Sequence, residues 1–358
     1  MKNLLSILLI GLIYCSCGEP ETPKAILNHI QVIGSHNSYK LKMDPLIWEG
    51  VFAEDSVQAM QLDYGHISLT EQLDLGLRSL EIDVYHDPEG GKFKHPFGLK
   101  MIEMAGATAI PFDTSIMISP GLKVLHNHDF DFRSNCGTFK ICLDEIKAWS
   151  IAHPDHLPII ITLNTKEEFI DRPGFTKPFI FSNAALDTID LEIQEVFAKG
   201  QLITPNDIRG DLPSLEKAVL TKGWGTLDDA LGKFLFVLDQ NNEVLDRYIE
   251  GHPGLKNRIM FANAPAGTPE AAFLILNEPV DDFELIQRRV KEGYLVRTRA
   301  DAGTWEARRN DKSRFEKALA SGAQVISTDY YIPDEKLGTG YQIQLPGGFY
   351  HKMKEGKE

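Results

Sequence analysis

The sequence lacks an excess of positive charge, has few cysteines and carries no apolar run long enough to cross a membrane. Its 358 residues include 37 Lys and Arg against 51 Asp and Glu, a formal net charge of −14. A nucleic-acid binder needs a basic surface, so that class is excluded, and electrostatic adsorption to anionic membranes is disfavoured. With only 4 cysteines the chain is not a small disulfide scaffold. Its 43% hydrophobic and 25% charged content are typical of a folded globular protein.

The first seventeen residues predict an export signal. The apolar run Leu4–Tyr14 is eleven residues long, whereas a membrane-spanning helix needs about 20. Ser16 before Cys17 resembles a bacterial lipoprotein processing site, so we expect Cys17 to be lipidated and residues 18–27 to form a tether. Secretion with cleavage near Gly18 is the alternative. The expected location is the periplasm or outer membrane, as an anchored lipoprotein, or else the medium.

Short apolar runs typical of strands alternate with helical patterns along residues 28–350. Such alternation indicates parallel βα units, and eight runs predict the α/β class and a single TIM-type (β/α)₈ barrel. Two connections, residues 39–72 and 87–122, are long loops after strands 1 and 2. The predicted strands are His29–Gly34, Ser79–Val84, Lys123–Leu125, Pro158–Leu163, Phe234–Leu238, Arg258–Phe261, Tyr294–Arg297 and Gln324–Ser327.

An acidic pair lies on the second predicted strand. Glu81 and Asp83 are two residues apart, so both side chains point to the same side of the strand. Inside a barrel, two like charges need a cation between them, and oxygen ligands favour Ca²⁺ or Mg²⁺ over zinc. On an edge strand the pair would instead be solvated.

Histidines and arginines follow other predicted strands, whose carboxyl ends meet at one rim of a barrel. His36 follows the first strand, and His126 and His128 follow the third. One of this second pair could be catalytic and the other structural; together they could hold zinc, but no third ligand has suitable spacing. Arg297 and Arg299 share a face, where guanidinium groups suit phosphate binding, with ion pairing to nearby acids as the alternative.

Several separated motifs, in the right order, resemble the phosphatidylinositol-specific phospholipases C. Residues 34–39, Gly-Ser-His-Asn-Ser-Tyr, resemble the first catalytic motif, Glu81-x-Asp83 the calcium-binding pair, and residues 124–126 the motif of the second histidine. Residues 126–158, 293–301 and 321–331 resemble the bacterial calcium-dependent branch specifically. The resemblance covers roughly residues 28–335, and the family fold, a TIM-type barrel, agrees with the strand count.

The resemblance implies a calcium-dependent phospholipase C that cleaves the phosphodiester between an inositol-like head group and diacylglycerol through a cyclic phosphate. It implies a phospholipid substrate at a membrane surface, and no nucleic acid or protein partner. His36 and His126 would be the acid–base pair. The cofactor Ca²⁺ would be bound by Asn37, Glu81, Asp83 and Asn164. The residues that would bind the substrate are Lys166, Arg297 and Arg299.

Two details of this assignment stay open. Asn164 stands where the related eukaryotic enzymes place a Glu ligand, so the calcium shell is incompletely specified and nearby Glu167 is an alternative ligand. Cys136 and Cys142 could form a disulfide because export permits oxidation, with two reduced thiols as the alternative.

Two other functions compete with this interpretation. A glycerophosphodiester phosphodiesterase uses a related barrel and a similar acidic pair, but it normally carries His-Arg-Gly and Glu-Asn-Thr segments that this sequence lacks. A non-catalytic lipoprotein that binds inositol phosphate is disfavoured because both histidines and the acidic pair are present.

Overall fold

Eight parallel strands form a nearly closed barrel in the computed structural model, which describes residues 26–241 and 243–353. The eight barrel strands are β1 (Ile30–Ser35), β2 (Ser79–Val84), β3 (Ile159–Thr165), β4 (Phe234–Leu238), β5 (Phe261–Ala262), β6 (Phe273–Ile275), β7 (Leu295–Arg299) and β8 (Val325–Thr328), and a ninth strand, β9 (His351–Met353), lies near the end of the described chain. They pair in the order β5-β4-β3-β2-β1-β8-β7-β6, and β9 pairs antiparallel with β1. The predicted α/β class and (β/α)₈ barrel are confirmed.

Helices connect the strands and cover the outside of the sheet. Within the described residues, none is both long and apolar enough to cross a membrane. The helices are α1 (Pro45–Glu54), α2 (Ser56–Gln61), α3 (Leu69–Leu75), α4 (Phe97–Met104), α5 (Phe139–Ala152), α6 (Asn183–Val196), α7 (Pro205–Arg209), α8 (Leu215–Thr221), α9 (Glu243–Ile249), α10 (Phe283–Glu292), α11 (Trp305–Arg309) and α12 (Ser313–Ser321).

One predicted barrel strand is wrong and one was missed. The segment 123–125 makes only isolated antiparallel bridges, from Lys123 to Tyr85 and to Thr138, because it extends past the end of β2 instead of joining the sheet. The missed strand is β6, which has only three residues and is too short to give a periodic signal. The predicted number of barrel strands, eight, is therefore correct, although one of the eight predicted strands is wrong.

The register between β1 and β2 depends on a glycine. A Cβ atom at Gly34 would lie 2.6 Å from the Cβ of Ser79, so only glycine lets the two backbones pair there. Every residue of β1 and β2 is buried. This close approach brings the residues that follow β1 beside the acidic pair of β2.

The two long connections contain helices of their own. Helices α1 and α2 follow β1, and α4 follows β2. A disulfide joins Cys136 to Cys142 on α5, with a Cα–Cα distance of 5.2 Å. It ties the segment after His126 to a helix packed in the main core.

The described chain begins inside the predicted tether. Ile26 bridges Thr226, and Leu27 is buried in the main core, so the packed domain starts two residues earlier than expected. It continues to Met353 in β9. The predicted signal peptide, Cys17 and residues 18–25 lie outside the described residues.

Candidate active site

His36 leaves β1 in a tight turn that is fixed against β2. Asn37 has φ 49°, a left-handed conformation that asparagine tolerates better than most residues. Ser38 then pins the turn, since its backbone N–H donates to the Glu81 carbonyl at 2.9 Å and its Oγ accepts the Glu81 N–H at 2.7 Å. The turn thereby sets His36 beside the acidic pair.

A carboxylate and a guanidinium contact the His36 ring. Its Nδ1 lies 2.9 Å from Oδ1 of Asp329, directly after β8, and its Nε2 lies 3.3 Å from Nη1 of Arg299. Burial, together with the positive charge of Arg299, holds the pKa of His36 well below its usual value. We therefore assign a neutral ring at neutral pH, with the Nδ1 hydrogen donated to Asp329.

His126 is held by a second carboxylate. Its Nδ1 lies 2.7 Å from Oδ2 of Asp131, whose side chain is fully buried. Burial raises the pKa of Asp131, but the neighbouring Lys40 and His126 together lower it by more than burial raises it, so the net shift is downward. Asp131 is therefore ionised and orients the His126 ring.

The two imidazoles face one cavity. Its volume is about 260 Å³, and Arg299 and Tyr64 also line it. Within the described residues, the Nε of Arg299 is buried and has no hydrogen-bond partner. The cavity is thus lined by two histidines and a guanidinium, which suit a small anion, together with the Asp329 side chain.

The predicted calcium ligands come from three adjacent segments. Asp83 pairs with Asn164 in the β2–β3 register, and Asn164 donates its amide to Oε1 of Glu81 at 3.2 Å. The amide of Asn37 lies 3.2 and 3.3 Å from the two Asp83 oxygens. The structure therefore brings the four predicted ligands together at the carboxyl ends of β1, β2 and β3.

The hydrogen-bond partners of the Asn37 amide define its orientation. With its nitrogen toward Asp83 it donates to the carboxylate and accepts from the Tyr64 hydroxyl at 2.8 Å. The reversed, second arrangement would place the amide oxygen against the Asp83 oxygens. Only a cation between those oxygens would stabilise the second arrangement.

This donor set fits Ca²⁺ chemically. All four side chains offer oxygen, two as carboxylates and two as amides, which are the ligands a hard cation prefers. In the described ranges, no group of three or more His, Cys, Asp or Glu side chains could hold a metal ion. Because calcium takes 6–8 oxygens, an ion here would depend on the amides and on substrate or water oxygens as well.

Two of the predicted substrate-binding cations contact these same carboxylates. Lys166 lies 2.9 Å from Oδ2 of Asp83, and Arg297 forms a buried ion pair with Glu81. Burial raises the pKa of Asp83, but Lys166, His126 and His36 together lower it by more, so the carboxylate stays charged. Of the three cations, Arg299 alone lines the cavity shared by the histidines.

Glu167 and His128 both make structural contacts. Glu167 does not reach the predicted metal ligands, because its Oε1 accepts the Phe181 N–H at 2.6 Å and pairs with Arg247 at 2.9 Å. His128 is not beside His126 on a strand; it is buried, and its Nε2 lies 2.6 Å from the Thr176 carbonyl. Both side chains anchor loops.

Two aspartates of the site were given no role by the sequence-based prediction. Asp329 and Asp239 each directly follow a strand, which is where a barrel places its functional side chains. Asp239 lies 3.7 Å from Arg297 and 3.4 Å from the Asn263 amide. Burial raises the pKa of Asp239, with Arg297 opposing that shift.

Known proteins resemble this chain in sequence pattern and in fold. The family model described as phosphoinositide phospholipase C, Ca²⁺-dependent, matches residues 26–354. A calcium-dependent phosphoinositol-specific phospholipase C from the Gram-negative bacterium Pseudomonas sp. has a similar structure, with 18% identity, 92% of this chain and 96% of that chain covered, and a TM-score of 0.56. The Ca²⁺-dependent phosphatidylinositol-specific phospholipase C from Streptomyces antibioticus has 17% identity, 89% and 98% coverage, and a TM-score of 0.53. No curated protein sequence matches the chain.

Proposed function

Because this chain belongs to the calcium-dependent phosphoinositide phospholipase C family, we propose that it cleaves the phosphodiester between an inositol-type head group and diacylglycerol. The family predicted from the motifs is confirmed by the match over residues 26–354. The observation that carries the proposed chemistry is that His36 and His126 face one cavity, each oriented through Nδ1 by a buried carboxylate.

The proposed reaction is an attack by the substrate's own 2-hydroxyl on phosphorus. The new O–P bond closes a cyclic phosphate, and the bond from phosphorus to the glycerol oxygen breaks. Nε2 of neutral His36 takes the proton of the attacking hydroxyl, and His126 gives a proton to the leaving glycerol oxygen. Such paired transfer suits two imidazoles near neutral pH.

Positive groups stabilise the phosphate in this scheme. Arg299 lines the cavity, and its guanidinium can donate to a phosphoryl oxygen. The residues that would hold Ca²⁺ are Asn37, Glu81, Asp83 and Asn164, and the bound ion supplies acidification of the hydroxyl and stabilisation of phosphate charge.

Product analysis tests this proposal. The protein is incubated with phosphatidylinositol vesicles, with Ca²⁺ or with a chelator, and phosphorus NMR follows the water-soluble products. We expect a cyclic inositol phosphate that forms with Ca²⁺ and not with the chelator. The H36A/H126A double variant is the inactive control.

Other products would support a different function. Release of glycerol phosphate from glycerophosphoinositol, with no cyclic product, would indicate a glycerophosphodiester phosphodiesterase. Binding of inositol phosphate without turnover of any of these esters would indicate a non-catalytic binding protein.

We also propose that the protein is exported and anchored by a lipid on Cys17, close to its substrate. Substitution C17S should move the protein from the membrane fraction to the soluble fraction of the cells that make it. An unchanged membrane fraction would refute the anchor.

A further inference from the structure

A buried lysine lies behind the second histidine. The Lys40 side chain is 0% exposed, and its ammonium donates to the carbonyls of Leu41, Leu62 and Tyr64 at 3.3, 3.1 and 2.8 Å. The ammonium also lies 4.5 Å from the centre of the Tyr64 ring. Burial of an ammonium without such partners would be strongly unfavourable.

The same ammonium reaches the carboxylate that holds His126. Nζ of Lys40 lies 3.3 Å from Oδ2 of Asp131, the oxygen that also lies 2.7 Å from Nδ1 of His126. Asp131 is itself 0% exposed, and its Oδ1 has no hydrogen-bond partner among the described residues. A buried carboxylate with so few donors depends on a cation to stay charged.

We propose that Lys40 is a positioning residue for His126 that acts through Asp131. The lysine charge keeps Asp131 a carboxylate, and the carboxylate accepts the Nδ1 hydrogen of His126, which fixes the tautomer of the neutral ring. The same carboxylate stabilises the cationic ring, in which Nε2 also carries a hydrogen and which is the form that gives a proton in the proposed reaction. The kinetic consequence rests on the proposed function, whereas the tautomer does not. Without Lys40, Asp131 takes up a proton and donates it to Nδ1, which moves the hydrogen of the neutral ring to Nε2.

The test compares two buried lysines. Lys123 is 1% exposed, donates to the carbonyls of Ser119 and Gly121, and pairs with Asp87 at 3.4 Å. K123M therefore also removes a buried ion pair, without touching Asp131. Both K40M and K123M should lower stability, which denaturant unfolding measures.

Nitrogen NMR of the His126 ring separates the two variants. K40M should change the signals from those of a ring protonated at Nδ1 to those of a ring protonated at Nε2, while K123M leaves them unchanged. In turnover of phosphatidylinositol, K40M should lower kcat about 10- to 100-fold with little change in KM, because a protonated Asp131 no longer stabilises the cationic His126 ring that gives the proton. Folded K40M with unchanged ring signals would overturn the proposal, whether or not the wild-type protein is a phospholipase.

A double-mutant cycle covers the case in which K40M does not fold. The K40M/D131N variant removes both charges together, so it leaves no unpaired buried ion. If Lys40 acts through Asp131, the double variant should match D131N in ring signals and in kcat. A further loss of kcat in the double variant, or ring signals different from those of D131N, would show that Lys40 does not act through Asp131.

Discussion

The Nδ1 atom of His36 lies 2.9 Å from Oδ1 of Asp329, so the carboxylate after β8 orients the imidazole after β1. These two strands are neighbours in the barrel, with Ser35 paired to Thr328. The same carboxylate contacts Arg299 at 3.3 Å. One side chain therefore orients both the proposed base and the proposed phosphate ligand.

Asp329→Asn should lower kcat about 10²-fold, because an amide can donate to Nδ1 and so favours the wrong tautomer of His36. The measurement is the initial rate of soluble inositol phosphate release from phosphatidylinositol. D334N is the matched control, since Asp334 pairs with Lys42 at 2.5 Å outside the cavity of the two histidines. A kcat for D329N within twofold of wild type would contradict a positioning role.

Substitution of either cavity histidine should also lower turnover. We expect H36A and H126A each to reduce kcat about 10²-fold or more, because each removes one of the two proton transfers. H95A is the control, since His95 is exposed and lies outside the cavity. Near-full activity in either variant would exclude the paired-histidine scheme.

A substrate with an activated leaving group separates the two roles. An inositol phosphodiester of a nitrophenol needs little protonation of its leaving oxygen, so it should restore most of the activity of H126A but not of H36A. Restoration in H36A instead would reverse the assignment of acid and base.

The sequence predicted those parts of the site that depend on strand geometry. Glu81 and Asp83 share a face because side chains alternate along a strand, and residues after different strands meet because parallel strands end at one rim. Neither argument needs knowledge of the loops. The same reasoning also placed Arg297 and Arg299 on one side of β7.

Contacts made by the loops could not be predicted in this way. Lys40 is buried by carbonyls 22 and 24 residues further along the chain, at Leu62 and Tyr64. No periodic pattern reports such contacts, and a lysine in a polar segment is usually exposed. The ion pairs of Lys166 and Arg297 with the acidic pair likewise depend on side-chain positions that spacing does not specify.

Asn164→Asp should strengthen calcium binding. A third carboxylate adds charge to the proposed ligands, and the site loses the amide that donates to Glu81, so we expect the Kd for Ca²⁺ to fall about tenfold. Without Ca²⁺ the thermal midpoint should drop because like charges then face each other, and Ca²⁺ should raise it by more than in wild type.

Calorimetric titration and thermal unfolding measure both effects. N310D is the control, because Asn310 is exposed and its left-handed backbone also tolerates aspartate. A Kd for N164D equal to that of wild type would remove Asn164 from the ligand set.

Lys166→Met should also strengthen calcium binding, although it removes a predicted substrate contact. Lys166 lies 2.9 Å from Asp83, so its charge competes with a cation for that carboxylate. We expect a roughly tenfold lower Kd for Ca²⁺ by calorimetry without substrate, and a higher KM for phosphatidylinositol. K177M, an exposed lysine in the following loop, should change neither value. Weaker binding by K166M would mean that Lys166 supports the site.

Asp301 should make stability depend on pH. Burial, with the nearby charge of Asp329, raises the pKa of Asp301 to about 7, against about 4 in an unfolded chain. Its Oδ1 accepts the Asp329 N–H at 2.9 Å. Between those two pH values the folded state holds a proton that the unfolded state has lost, so the free energy of unfolding falls as pH rises through this window.

Asp301→Asn removes this dependence while it keeps an oxygen for the Asp329 N–H. The unfolding free energy of D301N minus that of wild type should therefore rise between about pH 4 and 7, by at most about 1.4 kcal/mol per unit, and level off above. Urea unfolding of both proteins in chelator, at closely spaced pH values, measures this difference, in which the titration of groups away from Asp301 and Asp329 cancels to first order. Parallel stability curves would show that Asp301 is ionised in the folded protein across this range.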